Sequence, residues 1–179
     1  MARKLTEISA QLVDREAIRE IIARIARASD RVDNDLWREC FWPEACDQHA
    51  GMFDGTAIDL LEKATPFLHS LHRTTHFLGN TLFEFDGDSA KTETYVIAYH
   101  LTKDAEPLNV VACGRYLDIF ERREEEWRVM NRHLVLDWFM NVPAEGDWSR
   151  PQFGHDTAGA RKPDDYSCNF FTMGLERVQ

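Results

Sequence analysis

Positive charge is scarce in this chain. Lys and Arg number 21 against 31 Asp and Glu, a formal net charge of −10. A protein that displaces counterions from nucleic-acid phosphates needs the opposite balance, as does one that docks on anionic lipid, so neither partner is expected. Cysteine is sparse as well. Cys40, Cys46, Cys113 and Cys168 make no C-x-x-C pair and no small-domain disulfide framework, so a cytoplasmic protein with reduced thiols is the expectation. No apolar run approaches the ~18–20 residues of a membrane span. The opening stretch, Met1 to Glu7, is basic but has no apolar region behind it, which is not a secretory signal. The sequence also lacks G-x-G-x-x-G, G-x-x-x-x-G-K-[ST] and G-x-S-x-G, so dinucleotide, P-loop and nucleophile-elbow chemistry have no support.

Apolar and aromatic side chains are plentiful. At 179 residues, 44% hydrophobic and 11% aromatic, the chain has the length of about one domain and ample material for a packed core. Asp14 is placed to cap a helix carrying Ile18, Ile21, Ile22 and Ile25 at helical spacing and ending near Asp33. Asn34 can cap a short second helix through Leu36, Trp37, Cys40 and Phe41, stopped near Pro43. Residues 45–53 read as weakly strand-like and lead into the turn signal Asp54-Gly55. From Thr56 the helical period returns as far as Leu71, with Pro66 expected to kink or shorten it. Four extended runs follow, at about 74–85, 90–102, 108–121 and 127–139, separated by turn residues. Helices first and an antiparallel meander after them describe an α+β fold, with helices packed on one face of a strongly bent sheet. Residues 1–140 form the expected domain. Residues 141–179, broken by Pro143, Gly146, Pro151, Gly154, Gly159, Pro163 and Gly174, form an irregular extension. It still holds Trp148, Phe153, Tyr166, Phe170 and Phe171, so part of it is expected to pack on the body as a lid or subunit contact.

Four segments in this order carry a resemblance: Asp30 at the end of the first helix, Thr75-His76-Phe77-Leu78-Gly79-Asn80, Gly114-Arg115-Tyr116-Leu117-Asp118, and Trp127-Arg128-Val129-Met130-Asn131-Arg132. Over roughly residues 10–140 the chain resembles the SnoaL-like branch of the nuclear-transport-factor-2-like superfamily, which includes scytalone dehydratases and hexachlorocyclohexane dehydrochlorinases. The resemblance implies a cone-shaped curved antiparallel sheet wrapped by the N-terminal helices, with an apolar pocket in its mouth. It implies a homodimer or higher homo-oligomer formed through the outer face of the sheet. It also implies a cofactor-free lyase, a dehydratase, dehydrohalogenase or deformylase, or an isomerase, acting on a small apolar cyclic or aromatic molecule. A non-catalytic ligand-binding module and the small subunit of a ring-hydroxylating dioxygenase are the alternatives, because fold alone does not decide function.

Under that resemblance His76 is the general base and Asp30 the carboxylate that fixes its tautomer and stabilises the imidazolium. Arg132 is the pocket cation that steadies an oxyanion or a leaving group. His100 and Tyr116 are candidate binding residues. Strand alternation adds Leu78 and Asn80 beside His76, and Leu134, Leu136 and Trp138 beside Arg132, as pocket lining. His69, His72 and His76 invite a metal reading, and His69 and His72 on one helix could converge. The change of period before His76 carries the third ring into the sheet, so neither metal nor cofactor is expected.

Overall fold

The computed structural model describes residues 5–144, 159–168 and 170. The elements run α1 (Leu5–Arg31), α2 (Asn34–Glu39), β1 (Phe41–His49), β2 (Phe53–Thr56), α3 (Ala57–Ser70), β3 (Leu71–Asp86), β4 (Ser89–Thr102), β5 (Leu108–Arg123) and β6 (Glu126–Pro143), with a short 3₁₀ turn at Tyr166–Cys168. The strands form one curved, open sheet in the order β2-β1-β6-β5-β4-β3, the expected α+β cone. Every neighbouring pair is antiparallel except β1 and β6, which run parallel.

Local boundaries differ from expectation in three places. Asp14 does not cap α1. It lies inside the helix, where its carboxylate accepts the indole N–H of Trp127 at 2.9 Å and pairs with Arg122. The second helix stops at Glu39, capped at its start by Asp33. Phe41 already belongs to β1, because its ring stacks on Trp37 at 3.9 Å in the core. Pro66 lies within α3, which continues to Ser70.

The core explains the cone. Ile18, Ile21, Ile22, Ile25 and Ala28 form the buried stripe of α1 and pack with Trp37, Phe41, Ala90, Phe120, Trp127 and Val129. Residues sharing the concave face can be followed strand to strand. Asp118 pairs with Thr92 on one side and Arg132 on the other, and Arg132 stands beside Asp47 of β1. The next row runs from Thr94 through Tyr116 and Leu134 to His49. Further along, His76 pairs with Ala98, and Thr74 with His100. Gly114 serves the bend between these rows: a Cβ there would lie 2.4 Å from the Val135 carbonyl oxygen, so only glycine lets β5 approach β6 so closely.

Two irregularities shift the alternation. The register of β3 and β4 slips between Leu78 and Thr81, which leaves Asn80 exposed and out of phase with His76. A second slip, between Cys113 and Gly114 on β5, moves Trp138 opposite Cys113 and onto the outer face, 46% exposed. Trp138 therefore does not join the lining expected from strict alternation, and Asn80 is not in phase with His76. Leu134 keeps its place, and Leu136 keeps the phase while remaining exposed.

A candidate acid–base site on the concave face

The end of α1 is built to hold one carboxylate still. Val32 adopts a left-handed conformation (φ 52), and the Asp33 N–H returns to the Ala28 carbonyl at 2.9 Å, a Schellman-type stop. A β-branched residue at positive φ is strained, so this stop is held by its surroundings rather than by local preference. Asp30 sits in the turn thus terminated. Its Oδ1 meets His76 Nδ1 at 2.7 Å, and its Oδ2 accepts the backbone N–H of His76 at 3.1 Å. Both oxygens are committed to one residue, and the two side chains are only 13% and 12% exposed. The carboxylate thereby fixes Nδ1 as the protonated nitrogen and leaves Nε2 with its lone pair.

His100 is the nearest ring to His76 among the described aromatic contacts, edge-on with centroids 5.7 Å apart. Its Nδ1 engages the Thr74 hydroxyl at 2.7 Å, and Phe67 meets its other side. Burial, and after it the neighbouring His76, push the His100 imidazole down to about 4, so it is neutral at physiological pH. Arg161 and His49 act in the same direction, while Asp30 opposes them.

Arg132 is inside the protein, but not as a free cation. Its Nε and Nη2 donate to the two carboxylate oxygens of Asp118, both at 2.8 Å, a bidentate and fully buried pair. Burial works against its charge, yet Asp118 more than offsets this and holds the guanidinium above an ordinary arginine. The cation also lies 4.1 Å from the centroid of the Tyr116 ring. Burial pushes the Tyr116 hydroxyl up to about 12, so it stays protonated. Arg132, expected as the pocket cation, is committed to Asp118, and the pair ties β5 to β6.

Two groups escaped the sequence reading. Arg161, in the C-terminal extension, donates from Nη1 to the Asp30 carbonyl and from Nη2 to the Leu68 carbonyl at 3.1 Å, bridging the ends of α1 and α3. Its neighbours reinforce the junction. The Lys162 N–H meets the Arg31 carbonyl at 2.8 Å, and Asp165 pairs with Arg31 at 3.1 Å. Burial opposes the Asp165 charge, but the Ala160 N–H, the Ser167 hydroxyl and N–H, and Arg31 hold its carboxyl at about 2. Part of the extension therefore docks beside Asp30 through polar contacts. Tyr166 and Phe170 remain exposed, and Trp148, Phe153 and Phe171 lie outside the described residues. The second group is His49, whose Nδ1 lies 3.2 Å from Oδ1 of the buried Asp47.

His69 and His72 are exposed and do not gather with His76, and among the described residues no three potential ligands cluster to hold a metal. A cavity of about 230 Å³ opens elsewhere, between α1 and the β3 irregularity, bordered by Arg19, Ile22, Leu78, Asn80 and Thr94. Leu78 and Asn80 therefore line this cavity, not the surroundings of the Asp30–His76 pair. No described helix is long and apolar enough to cross a membrane.

Comparison with known proteins agrees with this fold. The model of the SnoaL-like domain family matches residues 10–133. The chain belongs to the SnoaL-like family. Its fold is similar to that of a putative scytalone dehydratase from Novosphingobium aromaticivorans, with 18% identity, a TM-score of 0.69, and 77% of this chain and 93% of that one covered. It is similar also to a hexachlorocyclohexane dehydrochlorinase, LinA type 2, with 16% identity, a TM-score of 0.71, and 79% and 96% covered. A single-residue variant of Rv3472, a Mycobacterium tuberculosis protein of unknown function, shares 24% identity at a TM-score of 0.63, over 73% of this chain and 75% of that one. Sequence comparison with curated proteins finds no match. Arg161 lies beyond the residues that the family model matches.

Proposed function

We propose that this SnoaL-like protein is a cofactor-independent lyase, or an isomerase using the same proton transfer, acting on a small apolar cyclic or aromatic carbon acid. His76 Nε2 takes a proton from carbon, and Asp30 steadies the imidazolium that results. The observation that carries this reading is the double hold of Asp30 on His76, side chain and backbone at once. A binding module gains nothing from a carboxylate that fixes an imidazole tautomer, whereas a base needs one. The neutral His100 beside it keeps a second positive charge away from the imidazolium as it forms. The fold shared with the putative scytalone dehydratase and the dehydrochlorinase supports elimination chemistry. The C-terminal segment around Arg161 contributes by holding the turn that carries Asp30.

The test uses the Kemp elimination of nitrobenzisoxazole, in which a base removes a ring C–H proton, the N–O bond breaks and a coloured phenolate nitrile forms. His76→Ala and Asp30→Asn should each lower the protein-catalysed rate by ~10²-fold or more, the usual scale of lost general-base catalysis, with unchanged circular dichroism. A rate that does not depend on His76 refutes the base.

A homodimer accompanies this reading. On the convex side, Phe77, Ile97, Cys113 and Trp138 align across four strands, and Phe77 is 68% exposed. A second copy of this chain would cover that stripe. Sedimentation equilibrium should give twice the 20.8 kDa chain mass, and Trp138→Glu should return the monomer.

A further inference from the structure

The turn that carries Asp30 is met by one guanidinium that has no carboxylate of its own. Arg161 donates from Nη1 to the Asp30 carbonyl and from Nη2 to the Leu68 carbonyl at 3.1 Å. Asp30 thus offers it a neutral oxygen, while both carboxylate oxygens are turned to His76. Among the described residues no acid lies within ion-pair distance of the half-buried Arg161. Other arginines withdrawn from solvent fare differently: Arg31, Arg122, Arg128 and Arg132 each hold a carboxylate. Bridging two helix ends explains the bonds of Arg161 but not its charge. Neutral donors can satisfy carbonyls, and the ends of helices favour a cation only weakly. A guanidinium also has five N–H groups, so donors remain after the two carbonyls are served.

Direct contacts tie this charge to the base. Asp30 holds the His76 ring, and His76 meets His100 edge-on with centroids 5.7 Å apart. His100 meets Phe67 in the same manner at 6.1 Å, and Phe67 precedes Leu68, whose carbonyl returns to Arg161. The guanidinium therefore closes a short circuit of residues that includes the imidazole. Within that circuit His76 Nε2 has no partner among the described residues, and Phe67 is 55% exposed. Burial opposes the Arg161 charge, Asp30 favours it, and Arg31 and Arg73 act against it. With the imidazole as free base, the pair of Asp30 and His76 carries one negative charge and repels an anion. Arg161 cancels that charge, so an anionic group can approach and supply the counter-ion that the protein withholds.

We propose that Arg161 is the specificity-determining residue of this site, the anchor for a carboxylate carried by the substrate. This rests on the base reading above and names the substrate class for it: a cyclic or aromatic carbon acid bearing a carboxylate on an otherwise apolar ring. The planar guanidinium matches the two oxygens of a carboxylate, which a compact ammonium does less well. No bond to the carboxylate forms or breaks. It balances Arg161 and orients the ring for proton removal by His76, while the exposed Phe67 offers the ring an apolar neighbour.

Benzoate and benzamide test the anchor, because they share a shape and differ in charge. Calorimetric titration of the full chain at neutral pH should favour benzoate by ~10–10²-fold, the scale of a charge-assisted pair. Arg161→Gln should abolish that preference while keeping benzamide affinity within about two-fold of wild type, and Arg161→Lys should retain part of it. Benzoate should also inhibit the nitrobenzisoxazole reaction competitively. If Arg161→Gln does not fold, nuclear magnetic resonance of the wild type takes its place. The arginine Nε–H signal that is missing from Arg161→Lys should shift with benzoate and stay in place with benzamide. Equal affinities in the wild type, a preference that survives Arg161→Gln, non-competitive inhibition or an unmoved Arg161 signal each overturn the anchor and leave the base standing. A nitrobenzisoxazole rate that His76→Gln leaves unchanged removes the base instead, and the substrate class with it, whatever the calorimetry reads.

Discussion

Asp118→Asn should weaken the fold without reaching the Asp30–His76 pair. Asp118 and Arg132 have side chains 0% and 4% exposed and are joined by two hydrogen bonds of 2.8 Å. Removing one partner of a buried pair costs ~3–5 kcal/mol, because the surviving charge is left uncompensated in a poorly solvated place. Here the surviving guanidinium still has Asp47 beside it and the Tyr116 ring against it. The lower end of that range is therefore expected, about 3 kcal/mol. For a chain of this size 1 kcal/mol moves Tm by ~2–4 °C, which gives a fall of roughly 6–12 °C. Arg132→Met should cost more, since Asp118 and Asp47 would then face each other with no cation between them. Asp118→Leu combined with Arg132→Met should recover part of the loss, as a well-packed apolar pair often does. Urea and thermal unfolding followed by circular dichroism measure all three. A Tm change below ~2 °C in Asp118→Asn would show that the pair does not carry the stability assigned to it. The reasoning also fails if Arg132→Met is the mildest of the set.

The remaining predictions concern pH and the C-terminal junction. His100 titrates at about 4 in the folded protein against an ordinary 6.5, so the unfolded chain binds more protons between those values. Stability should fall as pH drops through that window, by roughly 3 kcal/mol in total, and His100→Gln should flatten the slope of urea midpoint against pH. An unchanged slope in that variant would remove His100 from the account. Arg161→Ala deletes two bonds to the carbonyls of Asp30 and Leu68 and should cost about 1–3 kcal/mol in urea unfolding. The same variant should slow the benzisoxazole reaction by loosening Asp30, and Arg161→Lys should restore part of the rate. Wild-type kinetics in Arg161→Ala would show that the junction does not position the carboxylate.

The pairing of Asp30 with His76 was legible only through the family resemblance, but the elements that carry them were legible for a physical reason. One stands at the end of a strongly periodic helix and the other at the beginning of an equally clear strand, and each signal survives without tertiary information. The strands after Leu71 were legible on the same ground, since four apolar runs closed by turn residues admit few arrangements. Alternation then failed where the backbone slipped. A single extra residue near Gly79 put Asn80 out of phase with His76, and another near Asp137 moved Trp138 to the outer face. Neither irregularity has a signature that a period of two could register, because each is set by pairing with a distant strand.

The missed residues follow from the same limit, taken one step further. Asp47 and His49 lie in the segment that looked weakly strand-like, because after Ala45 an acid and a part-buried imidazole take the inward positions that apolar residues usually fill. Such positions are tolerable only where a compensating charge is already present. That charge is Arg132, which was legible as a cation while its carboxylate partners were not. The parallel pairing of β1 with β6 brings the three acidic and basic groups together, and no local pattern encodes that pairing. Arg161 is a similar case. It sits in a stretch broken by proline and glycine, where the expectation was that aromatic rings would do the packing. Instead, a guanidinium reaches two helix-end carbonyls, groups that every helix leaves without intrahelical partners. The end of α1 beside His76 thus takes an external donor, and the C-terminal extension supplies it. The same logic makes the Asp30 turn the most sensitive part of the site: its carboxylate holds His76, its carbonyl is held by Arg161, and its stop depends on a strained Val32. Change at any of these points should reach the imidazole before it reaches the core.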